Sequence, residues 1–260
     1  MTTSIDGLER AASQGWRAPE EERLGDWVLR AADGFTGRAN SALAIGDPGL
    51  PLATAVEQVC QWYRARDLPP MVALAFPLGR PQDSVTDRFL AERGWPVHHG
   101  AVVMTAQVGA VRAAAAAVAP AYLAAEPDDG WLSLYRYRGQ VPPPISGHML
   151  RSAAWQVFAS VSEAGRTIAI GRVAAADGWA GLTAIEVHPE HRRRGLGQAV
   201  TAALVAAAAD HGSTAIYLQV ETGNSAARAM YTAMGFTDHH GYHYRVAPAA
   251  PATPPTQPPY

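Results

Sequence analysis

His191-Arg192-Arg193-Arg194-Gly195-Leu196-Gly197-Gln198 is the stretch on which the reading of this chain turns. A strand-like segment, Gly181-Leu-Thr-Ala-Ile-Glu-Val187, precedes it and closes on His188-Pro189. A helical segment, Ala199 to Asp210, comes after it and closes on His211-Gly212. Strand, basic glycine turn and helix together make an anion-binding arrangement. The glycines let backbone pass close to a ligand, several N–H groups converge, and the helix N-terminus adds partial positive charge. A diphosphate is the ligand this chemistry predicts. The turn lacks both the Gly-x-x-x-x-Gly-Lys-Ser/Thr of a nucleotide P-loop and the Gly-x-Gly-x-x-Gly of a dinucleotide fold.

Specificity comes from the residues downstream of the turn. Ala215-Ile-Tyr-Leu-Gln-Val220 alternates like a strand, and Asn224-Ser-Ala-Ala-Arg-Ala-Met-Tyr231-Thr-Ala-Met-Gly235-Phe236 reads as a short helix. Asn224 suits the N-cap and Gly235 the position just past the C-terminus. Asn224 and Tyr231 lie two helical turns apart and therefore share one face.

Residues 181–236 resemble the GCN5-related N-acetyltransferases, or GNAT family. Arg192-x-x-Gly195-x-Gly197 is similar to that family's Arg/Gln-x-x-Gly-x-Gly/Ala pyrophosphate loop, and Asn224 and Tyr231 match its cofactor-contacting asparagine and catalytic tyrosine. The resemblance implies an α/β GNAT fold with a mixed, mostly antiparallel sheet flanked by helices. It also implies acetyl-CoA as cosubstrate, without a metal. Backbone N–H groups of residues 193–198 would cradle the pyrophosphate: Arg193, Arg194, Gly195, Leu196, Gly197 and Gln198, with the Arg192, Arg193 and Arg194 side chains adding charge. Ile185, Glu186 and Val187 would splay from strand 215–220, pair with the pantetheine arm, and offer a Val187-type N–H to polarise the thioester carbonyl. Tyr231 would protonate the departing thiolate; the alternative is an amphipathic core tyrosine. Asn224 is expected to cap its helix and also to contact the cofactor.

The base is a separate question. Some relatives place a glutamate on the strand before Asn224, twelve residues ahead of the tyrosine, where this chain has Gln219. Glu186, on the preceding strand, is the candidate base, acting directly or through water; otherwise it is structural and the amine loses its proton to solvent. The expected activity is acetyl-CoA-dependent transfer of an acetyl group to a primary amine, directly within a ternary complex, because no nucleophile for an acyl-enzyme is apparent. An acyl-CoA-binding regulatory or interaction module with little or no turnover is the alternative. Gln219 favours it and the retained Tyr231 opposes it.

Composition sets the frame. The chain has 260 residues, 48% of them hydrophobic, and a net charge of −2, so the arginine run is local and no general nucleic-acid surface is implied. All 21 basic residues are arginine. The single Cys60 excludes an internal disulfide and reads as a small buried hydrophobe. No signal peptide or bilayer-spanning run is evident, so a cytoplasmic protein without membrane partners is expected, monomer or homodimer. The acceptor is expected to be a small-molecule amine or a protein N-terminus.

Along the chain, residues 1–108 read as one unit, 109–246 as the catalytic GNAT unit, and 247–260 as a disordered Pro/Ala-rich tail. In the first unit, Trp27–Arg30 and the segment around Phe35–Ala44 read as two strands joined at Asp33-Gly34. Leu52–Arg66 reads as a helix, Met71–Phe76 as a strand, Val85–Glu92 as a helix and Ala101–Ala106 as a strand. Its ending, Phe89-Leu-Ala-Glu-Arg-Gly-Trp95 and then a strand, echoes the helix-Gly-Phe-strand ending of the second unit. The whole chain therefore looks similar to actinobacterial two-part GNAT proteins with a degenerate N-terminal half. In the second unit, Val111–Leu123 reads as a helix limited by Pro120, and Gly139–Gly147 as loop. Gln156–Ser162, Arg166–Ala174 and Gly181–Val187 read as a three-strand meander. His239, His240 and His243 are expected at the surface or in a substrate pocket. Trp131, Tyr135 and Tyr137 either wall an acceptor pocket or pack in the core. Arg38, Asn40 and Ser41 either reach a ligand or form a polar hairpin face.

Overall fold

A computed structural model describes residues 4–114 and 120–248. In chain order the helices are α1 (Ile5–Gln14), α2 (Leu52–Arg64), α3 (Val85–Glu92), α4 (Val108–Ala114), α5 (Asp129–Leu134), α6 (Ile145–Leu150), α7 (Leu196–Asp210) and α8 (Ser225–Ala233). The strands are β1 (Glu20–Leu24), β2 (Trp27–Ala31), β3 (Ala42–Leu43), β4 (Met71–Phe76), β5 (Val97–Gln107), β6 (Tyr122–Ala124), β7 (Gln156–Glu163), β8 (Arg166–Ala176), β9 (Trp179–Val187), β10 (Ala215–Glu221) and β11 (Thr237–Val246). All eleven form one mixed sheet in the order β1-β2-β3-β4-β11-β5-β10-β9-β8-β7-β6. Among the described residues no helix is long and apolar enough to cross a membrane.

Two strands trade places across the chain. The last strand of the first half, β5, lies between β10 and β11, antiparallel to both. The last strand of the second half, β11, lies between β4 and β5. Each half thus receives the other's final strand, and the sheet runs unbroken through both. The run Ala101-Val-Val-Met104 in β5 is buried on both faces because its strand is central. That burial explains a continuous apolar run where a half-exposed strand would alternate.

Three main cores cover the sheet. The largest joins α4, α7 and the β7–β10 surface through Val111, Val200, Leu204, Ile168 and Ile216, among others. A second lies under α2 and α3, with Trp27, Val59, Cys60, Tyr63 and Leu90. Cys60 is buried there as the sequence predicts, and burial pushes its thiol up. The third, against β7–β9, gathers Trp16, Phe35, Trp131, Met149 and Phe158.

Several expectations change. The hairpin runs through Gly25-Asp26 and joins β1 to β2, not β2 to the segment after Asp33-Gly34. Residues 32–41 form a loop because the Asn40 amide holds it: Oδ1 accepts from Ala32 and Gly34 N–H at 2.9 Å each, and Nδ2 donates to Phe35 and Thr36 carbonyls. Only Ala42–Leu43 remain extended, antiparallel to β2 and parallel to β4. Ser41 likewise turns inward, accepting from the buried Arg30 guanidinium at 3.0 Å. The expected loop over 139–147 ends early, since α6 begins at Ile145 and includes Gly147. The helix expected over 111–123 starts at Val108; residues 115–119 lie outside the described residues and Tyr122–Ala124 is strand β6. The tail from 249 onward also lies outside them. Trp131 is a core residue, donating from Nε1 to the Gly171 carbonyl at 3.2 Å.

His240 and His243 face inward rather than to solvent. His240 sits 2.9 Å from the Glu9 carboxylate, and His243 sits 2.7 Å from Asp87, all four residues buried. Residue alternation on β11 puts one histidine against α1 and the other against α3. Arg245 joins Asp87 at 2.7 Å, which clasps α3 to β11.

Candidate active site

Strands β9 and β10 pair in parallel from Trp179–Ala215 to Leu182–Leu218, and there the pairing ends. Past that point the two strands separate, and the sheet splits. Three local features produce the split. Ala184 adopts φ +54°, and the β8–β9 register slips between Ile170 and Arg172, which marks a bulge. Gly171, opposite the bulge, permits close packing of α7: a Cβ there would lie 2.5 Å from Val200 Cγ1 and 2.6 Å from Ile185 Cδ1. After the bulge β9 remains paired with β8 through Val187.

The free edge of β9 carries an oriented donor. His188 N–H bonds to the Ile168 carbonyl on the β8 side at 2.9 Å. Successive N–H groups of a strand alternate sides, so the Val187 N–H points away from β8 and into the split.

At the mouth of the split, a 3-10 turn over Pro189–His191 leads into the arginine–glycine loop. Arg193 at φ +61° and Gly195 at φ +76° turn the chain sharply into α7. Gly195 is the N-cap and offers no side-chain acceptor. Ala199 N–H is the first to bond back, to the Gly195 carbonyl at 2.9 Å, which leaves the N–H groups of Leu196, Gly197 and Gln198 without an intrahelical acceptor. These donors and the helix dipole point at the same space.

That space is a cleft of about 640 Å³. Ile185, Glu186 and Val187 form one wall, and Arg192, Arg193, Gly195, Leu196, Gly197 and Gln198 form its head. Asn224, Met230 and Tyr231 of the α8 region face them. Eleven of the twelve residues singled out from the sequence therefore line one cavity. Arg194 is the one that does not. Its guanidinium turns outward to Glu163 on the β7–β8 hairpin, at 2.7 Å, and to His191 Nδ1, also at 2.7 Å.

Asn224 caps α8, accepting from Ala227 N–H at 3.1 Å, and still borders the cleft. Tyr231 is 6% exposed, with its ring against Phe236, and burial pushes its phenol well above the usual tyrosine value. It keeps its proton at neutral pH. Glu186 faces Arg192 at 3.8 Å. Burial pushes its carboxyl up, against the pull of the Arg192 and Arg136 guanidiniums.

Across the split lies a second cavity of about 290 Å³, which no motif in the sequence announces. Thr183 and Ala184 of β9 and Gln219 and Glu221 of β10 form its floor, so both cavities share the separated strands. Tyr135 and Tyr137 wall it, as one sequence alternative expected, and Arg38 enters it from the first half to donate to Gln219 Oε1 at 2.6 Å. Glu221 had a legible signal, standing two residues past Gln219 on the same face of its strand. Arg38 was one of the residues the sequence offered as reaching a ligand, whereas Tyr242 and Tyr244 had no signal, because only the strand exchange between halves brings them here.

His188, Glu190 and His191 place ligand-type atoms within 4.8 Å of one another. Guanidinium groups already occupy that ground: Arg166 lies 2.7 Å from His188 Nε2 and Arg194 2.7 Å from His191 Nδ1. Two positive charges are poor company for a cation.

Comparison with known proteins places this geometry. The profile of the family described as "Probable histone acetyltransferase Rv0428c C-terminal" matches residues 2–245. The chain is 27% identical over 248 residues to an uncharacterized N-acetyltransferase, YobR, of Bacillus subtilis, covering 93% of this chain and 98% of that one. Among solved structures, a GCN5-related N-acetyltransferase from Kribbella flavida superposes with a TM-score of 0.70 at 18% identity, covering 96% and 98% of the two chains. A tandem GNAT protein from the clavulanic acid biosynthesis pathway superposes with a TM-score of 0.66 at 17% identity, covering 95% and 89%. The fold is thus a two-part GNAT fold.

Proposed function

This chain belongs to the Rv0428c C-terminal acetyltransferase family, and on that premise we propose that it moves an acetyl group from acetyl-CoA to a primary amine by direct transfer. The observation that carries the reading is the single cleft in which the glycine loop, the free β9 edge and Tyr231 meet. The cofactor's pyrophosphate lies against the unpaired N–H groups of 196–198, with Arg192 and Arg193 supplying charge. Its pantetheine arm runs along the open edge of β9, and the Val187 N–H faces the thioester carbonyl.

The acceptor amine approaches from the second cavity. Its nitrogen lone pair attacks the carbonyl carbon, forming the C–N bond. As the tetrahedral adduct collapses, the C–S bond breaks and the thiolate takes its proton from the Tyr231 phenol. The proton lost by the amine passes to Glu186 directly or through water. A carboxyl raised by burial is a better base near neutral pH than an ordinary one. Gln219, held by Arg38, has no part in proton transfer. The halves divide the labour: residues 109–246 hold the cofactor, and residues 1–108, degenerate in lacking a phosphate loop, close the acceptor side.

The test is thiol release from acetyl-CoA across a panel of primary amines. Amine-dependent release supports the reading. Cofactor binding with no release above hydrolysis would favour the regulatory-module alternative.

A further inference from the structure

The second cavity carries more positive charge than a simple amine needs. Arg38, Arg136 and Arg138 all line it, against one carboxylate, Glu221. None of the three takes part in a salt bridge among the described residues. Arg38 donates to the neutral Gln219 and lies over the Trp16 ring at 5.3 Å. Arg136 donates to the Tyr135 carbonyl at 2.8 Å, and Arg138 lies over the Tyr137 ring at 5.1 Å. Their donor capacity is largely unspent.

A fourth guanidinium lies beneath. Arg172 is fully buried and has no carboxylate partner among the described residues. It donates to the Leu150 and Gly15 carbonyls and to the Thr183 hydroxyl of the cavity floor, and its Nη2 has no acceptor. Burial pushes its pKa down to about 10, which leaves it charged at neutral pH. An uncompensated buried cation raises the potential of the cavity above it. The buried acid nearby, Glu9, is committed to His240 at 2.9 Å. His99, in the lining, is pushed down by burial and by Arg138 and adds no charge of its own at neutral pH.

We propose that the acceptor is a small amine bearing an oxyanion, a carboxylate or a phosphate, which Arg38, Arg136 and Arg138 hold while the amine faces the split between β9 and β10. Guanidinium forks match both oxyanions. A cavity of about 290 Å³ is at the small end of ligand sites and fits a molecule of amino-acid size. Glu221 and Glu186 lie on the strands that flank the split, where an ammonium group is favoured before it loses its proton. The site is thus laid out for an ammonium at one end and an anion at the other. A lysine-rich peptide would bring further positive charge to the arginines and be repelled.

This inference rests on the acetyl-transfer reading, and calorimetry separates the two. The full-length protein, with and without saturating CoA, is titrated with glutamate, phosphoethanolamine, ethanolamine and a lysine-rich peptide. Glutamate or phosphoethanolamine should bind, and whichever is tighter tells carboxylate from phosphate. Its affinity should fall about 10-fold or more in Arg136→Gln and in Arg138→Gln, both at loop positions, with CoA affinity unchanged. Ethanolamine or the peptide binding as tightly as the anionic amines would overturn the inference. So would unchanged affinity in both variants, or no binding by either anionic probe. Failure of CoA to bind would instead count against the acetyl-transfer reading, and the titration without CoA would still decide the charge of the acceptor.

Discussion

Tyr231 shows how much one side chain contributes through its placement. Its ring completes the α8 surface of the core, while its edge borders the cleft proposed for the cofactor. Tyr231→Phe keeps the packing and removes only the proton. The expected result is a fall in kcat of about 10²-fold with little change in acetyl-CoA affinity; full activity would return Tyr231 to a purely structural role. The loop residues were legible because their signal is local: a strand, a basic glycine turn and a helix in sequence. Arg194 was not, since its direction depends on Glu163, which the β7–β8 hairpin brings from 31 residues away. The orientation of a side chain on a turn is a tertiary fact, and spacing alone does not contain it.

Among the elements, β9 and β11 do the most. The bulge at Ala184 and the neighbouring Gly171 open the sheet at one place, and so create both cavities from a single break in pairing. β11 ties the flanking helices down through two histidines, and its contact with α3 is ionic. Burial pushes the Asp87 carboxyl up, but hydrogen bonds from Arg245 and His243 and their charge outweigh this and hold it below the usual value. Asp87→Asn should therefore cost about 3 kcal/mol at neutral pH, because the half-buried Arg245 guanidinium loses its counter-charge and His243 its carboxylate partner. The sign comes from the depressed folded-state pKa. The stabilisation is complete above the unfolded-state value of about 3.9 and is lost as pH falls through the folded value, so the gap between wild type and variant closes in acid. Thermal denaturation from pH 7 to pH 3 checks it; a gap independent of pH would contradict the clasp. The strand meander β7–β9 and the helices α2, α3 and α8 were legible from periodicity and caps. The 32–41 loop was not, because a single asparagine amide overrides what reads as a strand.

For the whole molecule the exchange of β5 and β11 is the governing feature. Helix and strand patterns in each half indicated two similar units, but no local pattern states that each unit's last strand completes the other. The consequence is cooperative. A fragment beginning at residue 109 lacks β5, and so exposes the inner edges of both β10 and β11 along with Val220, Phe236 and other apolar neighbours. It should be insoluble or unfolded when expressed alone, whereas the intact chain should unfold in a single calorimetric transition. Two separated transitions in the intact chain would show that the halves are independent. The second cavity, the proposed acceptor site, draws on both halves in the same way, since Trp16 and Arg38 come from one half and Tyr135 to Arg138 from the other.

The central claim is that the cleft between the free edge of β9 and the start of α7 holds acetyl-CoA. Gly197 stands at its head, where a Cβ would already meet Met230 Sδ at 3.1 Å and Val187 Cγ2 at 3.8 Å. Gly197→Glu places bulk and negative charge where the pyrophosphate would lie. The deciding measurement is the melting temperature of both proteins with and without saturating acetyl-CoA, because a ligand that binds the native state raises it. The account predicts a clear rise for the wild type and none for Gly197→Glu, with the unliganded variant still folded. An equal rise in both proteins would place the cofactor elsewhere and contradict the account.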